Sequence, residues 1–502
     1  MNKDEFMKLS SEYGYLPVYR EYSAALETPL SAFLKLRESE EAFLLESVEA
    51  GRSLGRYSFV GFSPEKLFKI EQGEACVSEL NSRSGKREEK ILPEKDPLTA
   101  LEKLLEERRV PLLEDLPLFS GGAVGYFGFE IIASWEKLQF KLKDEKGFPD
   151  CLLAFFNEFI VFDHVRQSFK IVAVTQCTEK VEEDYEAAVQ KIESIHKKLN
   201  TEEHKKKTGK FSREKTVTNT ITTSCEKEEF MEIVDKAKEY ILAGDIFQVV
   251  LSRQSSFQLS VDPLEIYLEL RMLNPSPYMF FLDFGEYYLV GSSPEVMVKL
   301  EGREAELCPI AGTRPRGKTP AEDEELSREL LGDEKELAEH LMLLDLGRND
   351  LGRVCEYGTV KVVKKMVVEN YSHVKHIVSQ VKGKLATGKN AFDLLRAALP
   401  AGTVSGAPKI RALEIIEELE SVRRGPYAGC VGYLSYNGNM DTCISIRTMF
   451  VKDRLAFLQA GAGIVADSNP EREFEEVVNK AGALLRAIEK AEGGDEGDLG
   501  NR

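Results

Sequence analysis

The chain reads as an α+β protein, a layered architecture in which helices cover antiparallel β-sheet, and three observations predict it. Short β-like runs recur through the N-terminal half, apolar stripes at helical spacing lie between and after them, and a hairpin meander near the C-terminus is followed by a long amphipathic helix. Taken in order, 57–60, 67–70, 159–162 and 171–174 are apolar, aromatic and β-branched runs that read as strands, with a helix over 97–109 between them. A helix follows over 227–243, with Phe230, Ile233, Val234, Ala237, Tyr240 and Ile241 on one face, and Gly244-Asp245 stops it ahead of a strand over 246–251. A helix over 334–346 comes next. The meander then runs as a strand over 429–436, a turn at Asn437-Gly438-Asn439, a returning strand over 443–451 and a third over 454–460. The last helix spans 470–491.

Chain length allows two sizeable domains or one large layered core: there are 502 residues, 42% of them hydrophobic and 30% charged. The polar, Lys-rich stretch 196–215 is the boundary candidate, with Leu199 and Phe211 its only core anchors. It divides the chain into a β-rich N-terminal segment (1–200), a linker (201–218), a second segment (219–492) and a polar tail (493–502). The two large segments fit either distinct domains or halves of one sandwich. No window approaches the ~18 uninterrupted apolar residues of a membrane helix, and the N-terminus has no secretory signal pattern. The eight cysteines are dispersed without C-x-x-C pairs, which argues against zinc or redox motifs and for reduced thiols in the cytoplasm. A net charge of −18 disfavours nucleic acid and anionic lipid as partners. An anionic small molecule would need cations supplied locally.

Two Glu-x-x-Glu pairs stand out. Glu336 and Glu339 flank a stripe of Leu337, Ala338, Leu341 and Leu344; Glu473 and Glu476 flank Phe474, Val477, Ala481, Leu485 and Ile488. Spacing i, i+3 puts each pair on one helix face, and two such helices at one cleft could offer hard oxygens to Mg²⁺. Alone, such a pair is a solvated face roughly nine times in ten. Lys480 lies one turn beyond Glu476. Strand alternation over 443–451 would set Ile444 and Ile446 on one face and Cys443, Ser445 and Arg447 on the other, where Arg447 could fork a carboxylate; on spacing alone an exposed sheet arginine is the more common case. Glycines at 312, 402, 406, 461 and 463 permit close backbone approach by a ligand, but neither a P-loop nor a dinucleotide fingerprint is present. His373 and His376 belong to no zinc motif.

These pieces, in this order, resemble the chorismate-utilising enzymes, and anthranilate synthase component I most of all. The matching segments are PIAGTRPRG (309–317), ELAEHLMLLDLGRNDLGRV (336–354), YSHVKHIVSQVKG (371–383), LPAGTVSGAPKIRALEII (399–416), GPYAGCVGY (425–433), ISIRTM (444–449) and QAGAGIVADSNPEREFEEVVNKA (459–481), with looser matches at LLESVE (44–49) and NPSPYMFF (274–281). The resemblance implies a sandwich of large antiparallel sheets covered by helices. It also implies a lyase that converts chorismate and ammonia to anthranilate and pyruvate in tryptophan biosynthesis. Mg²⁺ would be held by Glu339 and Glu476, supported by Glu336 and Glu473. Gly312, Thr313, Tyr427, Arg447, Gly461, Ala462, Gly463 and Lys480 would line the substrate site, with Thr403 beside them. Glu295 would be the acid for the departing hydroxyl, and His376 would belong to the pyruvate-elimination stage. Gln248 stands where water-adding relatives carry a lysine base, and Ala311 where p-aminobenzoate-branch relatives carry a nucleophilic lysine; that branch is the alternative reading, with a non-catalytic amino-acid-binding relative behind it. No glutaminase set is present, so the resemblance implies a separate glutamine amidotransferase (component II) in a hetero-oligomer. It also implies feedback inhibition by tryptophan at Glu46, Ser47, Pro277, Tyr278 and Met279, with Tyr278 and Met279 packing the indole.

Overall fold

The computed structural model describes residues 1–37, 41–47, 55–80, 87–201, 221–371 and 374–493. Most of the linker candidate, His373 and nearly all of the polar tail lie outside them. Residues 196–199, expected to begin the linker, are instead the last turn of the helix Val181–Leu199. Its apolar residues Ile192, Ile195 and Leu199 are buried, so helical periodicity continues beneath a polar surface that looks like a linker.

Two twelve-stranded antiparallel sheets form the frame. The first runs in the order Tyr15–Ser23, Ser168–Gln176, Glu158–Asp163, Tyr57–Phe62, Glu41–Glu46, Tyr278–Phe284, Tyr287–Ser293, Thr448–Lys452, Leu455–Ile464, Gln248–Gln258 and Thr222–Thr223, with Gly406–Ala407 pairing beside this path with Gln248–Gln258. The second runs Ile310–Pro315, Val374–Lys384, Glu304–Leu307, Val296–Glu301, Met440–Ile444, Cys430–Ser435, Gly122–Phe127, Cys151–Phe156, Lys66–Glu71, Glu74–Leu80 and Arg87–Ile91, with Lys361–Asn370 pairing beside this path with Val374–Lys384. Segments from before and after residue 200 are neighbours in both: Glu41–Glu46 pairs with Tyr278–Phe284, and Gly122–Phe127 with Cys430–Ser435.

Strand alternation explains the continuous apolar runs. In Glu41–Glu46, Phe43 points between the sheets onto Phe119 and Phe156, while Ala42 and Leu44 join a second core on the outer face of the first sheet. That outer core is completed by the helices Lys3–Leu9, Pro29–Leu36, Val181–Leu199, Pro263–Leu273 and Pro470–Glu492. With both faces covered, each strand position can be apolar, unlike the half-solvated antiparallel sheet. Among the described residues no helix is long and apolar enough to cross a membrane.

The C-terminal meander is not a single-sheet meander. Cys430–Ser435 and Met440–Ile444 form a hairpin in the second sheet, whereas Thr448–Lys452 and Leu455–Ile464 form a hairpin in the first. The expected strand over 443–451 therefore breaks at Ser445-Ile446-Arg447, where the chain passes from one sheet to the other. Arg447 takes a left-handed conformation (φ 49°) that ends the alternation placing it on a strand face. Ser293-Pro294-Glu295 makes the same passage between Tyr287–Ser293 and Val296–Glu301. The two passages lie side by side: Ser292 N–H donates to Arg447 O (3.2 Å), Ile444 N–H to Glu295 O (3.0 Å), and the Ser293 hydroxyl to Ile444 O (2.7 Å).

Candidate active site

Both Glu-x-x-Glu helices face the cleft beside these passages. The helix Glu334–Gly352 starts at an Asp333 cap that accepts from Lys335 and Glu336 N–H. It packs against Ile310–Pro315 and Val374–Lys384. Its buried face is carried by His340, Leu343 and Leu344, and Leu341, expected in the apolar stripe, is 51% exposed. His340 takes the inward place because its Nε2 meets the buried Ser379 hydroxyl at 2.6 Å. The helix Pro470–Glu492 begins with Asn469 as cap and Pro470 in the first turn, and ends at Gly493 in the left-handed conformation.

From the first helix, Glu339 reaches the start of the strand Gln248–Gln258, where Gln248 Nε2 donates to it at 3.2 Å. A Cβ at Gly463 would come within 2.4 Å of that same Gln248 nitrogen and 3.7 Å of the Glu339 carboxylate, so only glycine leaves this corner open. Glu336 accepts from Arg314 Nη1 (3.1 Å) and lies 3.1 Å from where a Gly312 side chain would begin. From the second helix, Glu476 pairs with Lys480 at 2.7 Å, and Lys480 Nζ also donates to Gly461 O at 2.9 Å. A Cβ at Gly461 would meet the Tyr427 hydroxyl at 2.9 Å. Ala462, between the two glycines, puts its methyl on the opposite strand face, so its backbone alone borders the cleft.

Electrostatics bind these contacts into one site. Burial, followed by repulsion from Glu336 and Glu476, raises the Glu339 pKa against the hydrogen bond from Gln248 and the charge of Lys480. Burial also raises Glu473, with Glu476 adding to the shift. The acidic residues of both helices thus share one field. Glu295, at its sheet-to-sheet passage, is pushed up to about 8 by burial, with Thr403, the Ile310 backbone, Arg447 and Lys480 pulling the other way. It therefore carries a proton at neutral pH. Burial lowers the pKa of Arg447, only partly offset by Glu295 and Tyr371, and no carboxylate lies within ion-pair distance of its guanidinium among the described residues. His376 is lowered to about 4, chiefly by burial. Its Nδ1 lies 3.0 Å from Gly312 O and 3.1 Å from the Thr313 hydroxyl. Donation to the carbonyl assigns the proton to Nδ1 and leaves Nε2 a bare acceptor.

Several buried polar atoms here lack a partner among the described residues: Gln248 Oε1, His376 Nε2, Thr403 Oγ1 and Ser445 Oγ. Buried polar groups are rarely left unsatisfied, and a cluster of them marks where a ligand completes the bonding. As for a metal, no three acidic or histidine side chains gather into a ready-made cage among the described residues. The donors are nonetheless all carboxylates whose mutual repulsion a cation would relieve, and magnesium commonly takes one or two carboxylates with the remaining places filled by water and substrate oxygens. The donor set fits.

Glu46, Ser47, Pro277, Tyr278 and Met279 come together elsewhere, on the first sheet, where Glu46 and Met279 are cross-strand partners. Glu46 accepts from the Tyr267 hydroxyl (2.7 Å) and from Arg271 Nε (3.0 Å) and Nη2 (3.2 Å). Tyr278 and Met279 do not share a surface as expected. The Tyr278 hydroxyl reaches across to Asp441 of the second sheet at 2.9 Å, while Met279 faces the outer core. Adjacent strand residues point to opposite faces.

Two sheets joined by paired crossings, with a protonated carboxyl, a guanidinium without a counter-ion among the described residues and two acidic helices around them, mark this cleft as the candidate active site of an enzyme. Residues 75–486 match the chorismate binding enzyme family, and the chain belongs to it. Within the family it is similar to proteins named anthranilate synthase component 1. It is 47% identical to that of Acetivibrio thermocellus over 97% of this chain and 98% of the relative. With that of Aquifex aeolicus the identity is 46%, over 98% of each chain. The crystal structure of anthranilate synthase component I from Streptococcus pneumoniae superposes with a TM-score of 0.76 at 35% identity, covering 93% of this chain and 99% of that one. The two-sheet α+β sandwich is the fold of that protein.

Proposed function

We propose that this cleft converts chorismate and ammonia to anthranilate and pyruvate, as the large subunit of an anthranilate synthase in tryptophan biosynthesis. The observation that carries the reading is the juxtaposition at the two sheet crossings: a carboxyl that stays protonated at neutral pH, Glu295, faces an unpaired cation, Arg447. Ammonia attacks C2 of the ring, both ring double bonds shift (C1=C2 to C1=C6, C5=C6 to C4=C5), and the C4–O bond breaks as Glu295 delivers its proton, so the hydroxyl leaves as water and the new ammonium at C2 gives up a proton to become the amine. Loss of the C2 proton then aromatises the ring and breaks the ether bond, and the side chain departs as pyruvate. Arg447 and Lys480 orient the carboxylates of the substrate, with Gly461, Gly463 and Gly312 letting it lie against backbone. Gln248 cannot deprotonate water, which favours ammonia as nucleophile. His376 Nε2 and the Thr403 hydroxyl border the site as acceptor and donor.

Glu339 and Glu476 would hold Mg²⁺, with Glu336 and Glu473 behind them; bound there, the ion would supply positive charge for the ring carboxylate. Ammonia would come from a glutamine amidotransferase subunit docked in a hetero-oligomer, and the location would be the cytoplasm. Tryptophan would bind at the Glu46 cluster, its ammonium taking the place of Arg271 against the carboxylate.

Incubating the protein with chorismate, Mg²⁺ and an ammonium salt tests this. Fluorescent anthranilate and an equal yield of pyruvate are expected. Aminodeoxychorismate without pyruvate would overturn the reading in favour of a p-aminobenzoate-branch synthase.

A further inference from the structure

Behind the cleft, where no substrate reaches, lies a charge that the reaction as written does not use. Arg424 is 1% exposed. Its guanidinium is flanked by the ring faces of Phe129 at 4.6 Å and Tyr427 at 5.7 Å. Nε and Nη2 fork the Glu420 carboxylate at 3.0 and 2.5 Å, Nη1 donates to Val404 O at 2.7 Å, and Nη2 donates to Val250 O at 2.6 Å. Glu420 Oε1 in turn accepts from both the N–H and the hydroxyl of Ser252, each at 2.8 Å. Glu130, from the N-terminal half, accepts the backbone N–H groups of Arg424 (2.7 Å) and Gly425 (2.9 Å), fixing the turn from which Arg424 projects.

Four of the residues so tied lie beside a group that borders the cleft. Val250 is two residues beyond Gln248 on the same strand face. Val404 follows Thr403. Ser252 is the cross-strand partner of Gly461. Tyr427, whose hydroxyl faces Gly461, follows three residues after Arg424. These segments come from distant parts of the sequence, and one planar cation is hydrogen-bonded or stacked against most of them. An ammonium would keep the charge beside Glu420, but its donors sit on one nitrogen and do not reproduce the separate bonds from Nη1 to Val404 O and from Nη2 to Val250 O.

We propose that Arg424, locked by Glu420, is a positioning residue for the chorismate reaction: it sets the spacing between the Gln248 strand, the Thr403 turn and Tyr427 without touching substrate. This rests on the function proposed above. Deleting the side chain would strand a buried carboxylate and risk unfolding, so the informative variant of the full chain is Arg424→Lys, which keeps the charge and loses the fan of hydrogen bonds. With ammonium as nitrogen source, kcat is expected to fall about 100-fold while KM for chorismate changes by less than about 3-fold, the signature of misplacement rather than lost binding. Hydrogen exchange is expected to quicken at 248–252 and 402–405, where Val250 N–H bonds Ser405 O, and to stay unchanged in the strands Gly122–Phe127 and Cys151–Phe156. Wild-type kcat, or unaltered exchange in those two segments, would overturn the proposal. Should Arg424→Lys fail to fold, Ser252→Ala leaves the Arg424–Glu420 pair and the Ser252 N–H bond to Glu420 intact, and removes the hydroxyl's bonds to Glu420 and to Gln459 of the Gly461 strand. About a 5-fold loss of kcat at constant KM is expected there, and full activity would refute the tether. If the wild type itself released no anthranilate, the function would fall, whereas the exchange measurement would still judge the tether.

Discussion

The cleft and the Glu46 cluster are both built from buried polar groups at strand ends, and they treat those groups in opposite ways. In the cleft, Gln248 Oε1, His376 Nε2, Thr403 Oγ1 and Ser445 Oγ have no partner among the described residues, and Arg447 has no counter-ion there. In the cluster, Glu46 already holds a tyrosine hydroxyl and a two-point arginine. Leaving hydrogen-bond capacity open costs stability, and the cleft bears that cost where a substrate can fill it. A carboxylate that is already paired has to exchange partners before it binds anything else, so its affinity is a difference between two good arrangements. The cleft is therefore expected to respond to substitution mainly in rate, and the cluster mainly in the threshold of inhibition.

The largest effect tests the open side of that contrast. Glu339→Gln should lower the ammonia-dependent kcat by about 10³-fold, on the order of 4 kcal/mol, while the melting temperature of the ligand-free protein stays level or rises. Burial and neighbouring carboxylates already disfavour the Glu339 charge in the folded chain, so removing it relieves the fold as it disables the site. Activity within a few-fold of wild type would break the comparison at its strongest point.

Next comes Glu295→Gln, expected to cost about 10²-fold in kcat. Since burial holds Glu295 at about 8, the wild-type rate should decline as pH rises through that value, and the variant should lose this alkaline limb. Stability moves as well. Between the ordinary 4.5 of a carboxylate and about 8, the unfolded chain has shed a proton that the folded chain keeps, so stability falls as pH rises through that window. The variant should melt above wild type at pH 8 and converge with it at pH 4, which calorimetry at the two pH values would show.

How far these two regions could be read from the sequence follows the same division between local and tertiary signals. The helix Lys227–Ala243 occupies the residues its periodicity marks out, and the helix Pro470–Glu492 differs from expectation by one residue, because caps and apolar spacing are local. The crossing at Ser445-Ile446-Arg447 was not legible: the alternation of small, apolar and polar residues continues through it, and only the second sheet tells the chain to leave the first. Glu295 has the same origin, a passage signalled locally by nothing stronger than Pro294. Arg424 and Glu420 look like an i, i+4 surface pair, and nothing nearby in sequence shows that Glu130, Ser252 and Val404 close over them. The Glu pairs were visible as pairs; that they share one field with Lys480 and Gln248 required the fold.

On the closed side, Glu46→Gln should raise the tryptophan concentration for half-inhibition at least about 30-fold, since a neutral amide attracts an ammonium far less than a carboxylate does. Arg271→Gln should act the other way and lower it about 5-fold, because the carboxylate no longer has to give up a two-point partner. Dose–response curves in the ammonia assay would separate the two, and a weakening in both variants would mean that Arg271 helps to hold the effector rather than competing with it.

The smallest effect is the most discriminating. Ser47 is adjacent to Glu46, and its hydroxyl is buried without a partner among the described residues, so it is the one open valence in the otherwise closed cluster. A hydroxyl that meets nothing in the ligand-free protein and a tryptophan polar group in the complex should show opposite signs in the two states. Ser47→Ala would then raise the ligand-free melting temperature by about 1–2 °C, as an unsatisfied donor is removed, and weaken inhibition about 5-fold, on the order of 1 kcal/mol for one lost hydrogen bond. A variant less stable without effector would show that the hydroxyl is already satisfied. The cluster would then be closed throughout, and tryptophan would have to displace every contact it makes.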